Sequence, residues 1–346
     1  MVANPLCCRS GSGQRMQFGQ LKRREFLTLL GGAAVAWPLA ARAQQPGKVF
    51  RIGFVGLTAA ESLPKRVEAF RAGLRELGYQ EGRNLTIEFH WADGRYERLP
   101  AFFDELVRRN VDVIVTHGTP GTRAAKQATT TIPIVMATSG DAEASGLIAS
   151  LARPGGNVTG STFFSAELAA KRFELLKETS PGLKAVGILS NPENPFNEHV
   201  IATIKPTAQA LGLEVHLFGV RGPGEFEAAF AAMEVKRLGA VMVMDDAILI
   251  AHASAVAMLT LERRLPSIGW PDYAIGGGLI GYGVNFNDMF HRAATFVDKI
   301  LKGTKPSDLP VERSTRFELA INLKTAKALD LEIPPTLLTR ADEVIE

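Results

Sequence analysis

Six histidines are scattered along the chain, at positions 90, 117, 199, 216, 252 and 291. None has a second histidine or a cysteine at zinc-ligand spacing, so no metal site is expected. There is no Gly-x-Ser-x-Gly nucleophile elbow. Gly118 through Lys126 does not spell a phosphate-binding loop, and Gly53-x-x-Gly56 is half of a dinucleotide fingerprint. No catalytic residue and no cofactor are expected. What remains is chemistry that holds a molecule without changing it: hydroxyls, amides, carboxylates and aromatic rings in the loops that follow apolar runs.

After the run VDVIVT, which ends at Thr116, come His117, Gly118 and Thr119; after IPIVMA come Thr138, Ser139, Gly140 and Asp141. Small hydroxyl residues and glycines ahead of a helix can donate to a carboxylate, or can be plain capped turns. His117 is either a ligand contact or a structural loop histidine. Asn191 and Asn194 follow KAVGILS, and either bind or start a turn. Asp245 and Asp246 follow AVMVM; capping of the next helix suits Asp246 and leaves Asp245 freer. Trp270, Tyr282, Phe163 and Phe164 end apolar runs and are candidates for stacking on a ligand ring or for core packing.

These loops need elements to position them. VFRIGFVGL, Asn84–Trp91, VDVIVT and IPIVMA alternate with helical patterns at 65–78, 98–110 and 118–130. The rhythm restarts with a helix from Ser165 to Thr179, capped by Ser165. KAVGIL, Leu213–Val220, AVMVM, Pro266–Trp270 and Leu279–Val284 then alternate with further helices. Asn287 is read as the cap of a helix carrying Met289, Ala293, Phe296, Val297 and Ile300 on one face. FELAIN is the last strand. Alternation of this kind implies parallel sheets covered by helices on both faces, and explains the continuous apolar runs. The fold class is therefore α/β, with two doubly wound lobes.

Residues 1–43 differ from the rest. Lys22-Arg23-Arg24-Glu25-Phe26-Leu27, an apolar run of about a dozen residues and Ala41-Arg42-Ala43 form the three parts of an export signal. The run is too short for a membrane span, which needs about 20 residues. The paired arginines resemble a twin-arginine signal. Cleavage is expected after Ala43, with a periplasmic destination. Six of the 39 Lys and Arg residues, but one of the 36 acids, lie in this segment. The remainder is slightly acidic, which argues against nucleic acid as a partner. Both cysteines, Cys7 and Cys8, also lie there, so disulfides and thiol chemistry are excluded from the rest.

Several strings carry a resemblance. Arg51-Ile52-Gly53, Phe70-Arg71-x-Gly73-Leu74, Gly78-Tyr79-x-Glu81-Gly82-x-Asn84, Ile132-Pro133-Ile134-Val135, Arg153-Pro154-Gly155-Gly156-Asn157-Val158-Thr159-Gly160, Glu318-Leu319-Ala320-Ile321-Asn322 and Ala341-Asp342-Glu343-Val344-Ile345 resemble the ABC-transporter substrate-binding family, of the type I periplasmic binding protein kind that includes tryptophan-type amino-acid receptors. The likeness spans residues 50–346. It implies a three-segment hinge with crossings near Thr159–Ser161, Val284–Phe286 and Val311–Phe317. Lobe 1 would then be 44–160 with 285–315, and lobe 2 would be 161–284 with 316–346. It further implies a monomer that closes on a small carboxylated ligand, an amino acid or a relative, and hands it to an ABC permease in the inner membrane. A carboxylate at 245–246 would meet the ligand's ammonium. A receptor feeding a sensor partner, or an exported hydrolase, are the alternative readings.

Overall fold

The apolar runs become strands. In the computed structural model, which describes residues 48–346, β1 (Phe50–Gly56), β2 (Leu85–Trp91), β3 (Val113–Thr116), β4 (Ile134–Met136), β5 (Val158–Thr162) and the short β11 (Glu312–Arg313) form one sheet in the order β11-β5-β4-β3-β1-β2. Every pairing in it is parallel. β3 and β4 are buried throughout, which is why they read as unbroken apolar stretches rather than alternating ones.

A seven-stranded sheet follows. It runs β13 (Glu343–Ile345), β12 (Phe317–Asn322), β10 (Ile280–Val284), β9 (Ser267–Gly269), β8 (Ala240–Val243), β6 (Ala185–Ser190) and β7 (Glu214–Gly219). Its pairings are parallel except β10 with β12. β13 was not expected; its two exposed residues and short length give almost no periodic signal. The strand–helix alternation therefore yields two doubly wound α/β lobes.

The chain passes between the sheets three times: after Thr162, at Asn285 and between Arg313 and Phe317. Ser161 and Thr162 pair with Glu312 and Arg313, so the first sheet runs two residues beyond the boundary expected at 160. The helix Phe286–Leu301 returns to the first lobe and lays Phe290, Ala293, Phe296, Val297 and Ile300 into the core beneath β1 and β3. Its cap is Asn285 rather than Asn287. Asn285 keeps extended backbone angles, and its side chain accepts from the N–H groups of Asn287 and Asp288. Ser165 is likewise the first helical residue of Ser165–Thr179, not its cap.

One glycine at the first crossing is obligatory. Gly160 has φ +131, and a Cβ there would stand 2.1 Å from the carbonyl oxygen of Met136 on the neighbouring strand. The export signal expected over 1–43, with its twin arginines and its cleavage after Ala43, lies outside the described residues. Among the described residues no helix is long and apolar enough to cross a membrane.

Candidate functional site

The loops that leave the carboxyl ends of β1, β3, β4, β5, β6 and β8 converge on one cavity between the sheets, where open parallel sheets place ligands. The first lobe contributes Leu57, then His117, Gly118, Thr119 and Pro120, then Thr138, Ser139 and Gly140. The second contributes Ser165, Asn194, Phe196, Asp245 and Asp246. Phe163, Phe286 and Phe290 line it from the crossings and the returning helix.

The turn after β3 is built by Gly118, whose φ of +69 sends the chain into the helix Gly118–Ala128. That helix aims its N-terminus at the cavity, with first-turn N–H groups that have no intrahelical acceptor. Thr119 and Ser139 hydroxyls sit 3.2 Å apart there. Thr116 lies one residue too early: its hydroxyl donates to Val55 and is fully buried behind the turn. His117 lines the cavity and is buried. Its Nε2 accepts from the Leu57 N–H at 3.2 Å, so the neutral ring carries its proton on Nδ1. Burial, and then the nearby Arg66 charge, push its pKa down to about 3.

Asp246 is the centre of the second lobe's contribution. It caps the helix Ala247–Ala251 by accepting from the Ile248 N–H at 3.0 Å. Its oxygens also accept from Asn191 Nδ2 and Asn194 Nδ2, each at 3.1 Å. Both amides are oriented by their own backbone turns, Asn191 Oδ1 taking the Glu193 N–H and Asn194 Oδ1 the Phe196 N–H. Tyr96, from the first lobe, donates across the cleft to Asp246 at 3.4 Å. Asp246 is 1% exposed and all its donors are neutral. Burial raises its pKa against the lowering effect of these bonds, and no charged group offsets it.

Asp245 is not free. Arg172, 1% exposed, grips it with two bonds of 2.8 and 2.9 Å, while Arg172 Nε donates to the Tyr282 carbonyl. The expectation that Asp245 stands open to a ligand is therefore corrected: a buried fork-to-fork ion pair occupies both of its oxygens. Asn191 lies behind Asp246 rather than on the cavity wall. Asp141 turns away and its carboxylate caps Ala144. Phe164 packs under the Arg313 guanidinium, 4.2 Å from its carbon, and its neighbour Phe163 faces the cavity instead. Tyr282 points to the other side of β10, onto Phe317 in an open surface groove. Adjacent strand residues face opposite sides, so a register one residue off exchanges site for surface.

Arg66, Tyr96, Ser165 and Asn197 are polar residues of the cavity that were not foreseen as such, and the first two matter most. Arg66, on the helix Pro64–Glu76, is 8% exposed. Its guanidinium lies over Phe286, with the carbon 4.9 Å from the ring centroid. Its hydrogen bond to the second lobe's Asp272 is 3.4 Å long, the one side-chain partner it has among the described residues. Its signal was present: Arg66 precedes Phe70 by four residues and Gly73 by seven, on a stripe otherwise apolar. Tyr96 stands in a short 3-10 turn and carries no such pattern.

Comparison with known proteins agrees with this architecture. Residues 51–345 match the family model described as ABC transporter substrate binding protein. The chain is 28% identical over 283 residues to the tyrosine-binding protein of Clostridioides difficile, covering 81% of each. A Streptococcus pneumoniae ABC domain in complex with L-Trp is 26% identical with a TM-score of 0.79, covering 86% of this chain and 99% of that one. A ligand-free, open substrate binding protein from Clostridium difficile is 25% identical, with a TM-score of 0.60 over 86% and 99% of the two chains. The lobes here touch, through Tyr96–Asp246 and Arg66–Asp272. The chain belongs to the ABC transporter substrate binding protein family, whose members bind small molecules for a membrane permease and are not enzymes.

Proposed function

We propose that the protein captures a zwitterionic α-amino acid in the periplasm for an ABC importer. The observation that carries this is a pair of opposite, under-compensated charges in one closed cavity: the Asp246 carboxylate without a cation, and the Arg66 guanidinium with a single long hydrogen bond. Burying either charge alone is costly, and a ligand bearing both an ammonium and a carboxylate offsets both. Asp246 takes the ammonium. Arg66, the Thr119 and Ser139 hydroxyls and the N-terminus of Gly118–Ala128 take the carboxylate.

The remaining wall suits an aromatic or large aliphatic side chain. Phe163, Phe196, Phe286 and Phe290 line it together with Leu57, Leu63 and Ile250. The names of two relatives, one tyrosine-binding and one holding L-Trp, favour the aromatic class. The lobes act as rigid halves hinged at the three crossings, and closure removes the ligand from water. Export through the segment at 1–43, and action as a monomer, complete the reading. The test is a thermal-shift and calorimetric comparison of L-tyrosine, L-tryptophan, tyramine and 3-(4-hydroxyphenyl)propionate. The amino acids bind, and removal of either charged group costs at least tenfold in affinity. Equal binding of tyramine or of the propionate refutes the two-charge site.

A further inference from the structure

The same two residues that meet across the cleft bear on how closure is controlled. In the second lobe alone, Asp246 is satisfied by Asn191, Asn194 and the Ile248 N–H, and its free side faces the cavity. The first lobe's Tyr96 stands over it, with one bond of 3.4 Å. Gly94, two residues before Tyr96, comes with it: a Cβ there would lie 3.7 Å from Ile248, in the helix that Asp246 caps. A single long neutral bond does not replace the hydration of a carboxylate. The empty closed cleft therefore holds an uncompensated charge.

We propose that Tyr96 and Asp246 make lobe closure conditional on a positive group in the cleft, with Tyr96 as the positioning residue that seals the Asp246–ammonium contact. This rests on the reading that Asp246 receives the ligand's ammonium. With an amine bound, closure buries a neutral pair and Tyr96 completes its shell. Without one, a proton on Asp246 favours closure, so the ligand-free open form gains weight as the pH rises. The sign follows: a carboxyl whose pKa rises on closure binds more protons when closed, so falling pH favours the empty closed form. The ionisable groups around it do not supply this effect. Asp245 is tied to Arg172, Arg66 reaches Asp272, and Glu193 acts on Tyr96 with the same sign as Asp246. With the lobes in contact, burial keeps His117 neutral until about pH 3.

The test begins without ligand. Small-angle scattering of the full chain should give a radius of gyration that shrinks as the pH falls from 8 towards 5. Asp246→Asn should be compact already at pH 8 and lose that pH dependence. Asp246→Asn should also weaken L-tyrosine binding at least tenfold. Tyr96→Phe, which keeps the ring, should release L-tyrosine five- to tenfold faster with association unchanged. If Asp246→Asn loses L-tyrosine affinity while its ligand-free scattering matches the wild type at every pH, the coupling is wrong and the binding site stands. If Asp246→Asn binds L-tyrosine as the wild type does, the binding assignment itself falls. A wild-type release rate in Tyr96→Phe removes Tyr96 from the device.

Discussion

Arg66→Met separates what the cleft does for a ligand from what it does for the fold. The guanidinium has five N–H donors, yet its hydrogen-bond partner among the described residues is Asp272 at 3.4 Å, and Asp272 is 45% exposed. A pair that long, half in water, contributes under about 0.5 kcal/mol, and the cation over Phe286 adds about 0.5–1 kcal/mol. Met keeps an apolar chain of comparable reach in place of the Arg66 stem. Global stability measured by denaturant unfolding should therefore fall by about 1.5 kcal/mol or less. Affinity should respond differently. A charge-assisted bond to the ligand carboxylate is worth about 1.5–3 kcal/mol, which is a factor of about 10 to 150 in dissociation constant. Calorimetry with L-tyrosine reads this directly. Tyramine, which lacks the carboxylate, should bind the variant and the wild type within about twofold, closing a cycle between the residue and the group it recognises. A loss of equal size for both molecules, or less than threefold for L-tyrosine, refutes the carboxylate assignment.

Arg172→Met should destabilise the protein by about 3–5 kcal/mol in chemical denaturation, because it strands a carboxylate that is 5% exposed; adding Asp245→Leu should recover most of that loss. His117 is held near pKa 3 in the fold against about 6.5 unfolded, so its contribution is present above about pH 6.5 and is lost as the pH falls towards 3. In His117→Gln, denaturation midpoints measured between pH 7 and 4 should fall less steeply than in the wild type, and an identical slope would contradict a buried neutral ring. Gly160→Ala should prevent accumulation of soluble folded protein or lower its melting temperature by several degrees, since its Cβ would fall inside the Met136 carbonyl oxygen; a wild-type melting curve would contradict that approach.

The order of elements was legible in the sequence because parallel, doubly covered strands must be apolar on both faces, and β1, β3, β4, β6 and β8 each show that as a short unbroken run. From the order alone it follows that binding groups sit after the strands, and His117, Gly118, Thr119, Ser139, Asn194, Asp245 and Asp246 do line the cavity. What the sequence hides is which neighbour of an adjacent pair looks inward. Asp245 and Asp246 differ by one position, as do Phe163 and Phe164. The choice depends on partners far along the chain: Arg172 lies 73 residues before Asp245, and Tyr96 lies 150 residues before Asp246. Loop chemistry points to the loops that line the cavity but not to which carboxylate lacks a counter-charge, because a cap looked like a finished role for Asp246 and an absent neighbour looked like freedom for Asp245. The cap uses one acceptor position of a group that has about four. The ion pair engages both oxygens of the other. The residue with a visible local duty is the one left with charge to offer, and a buried charge left without a counter-charge is the more informative mark of a binding site.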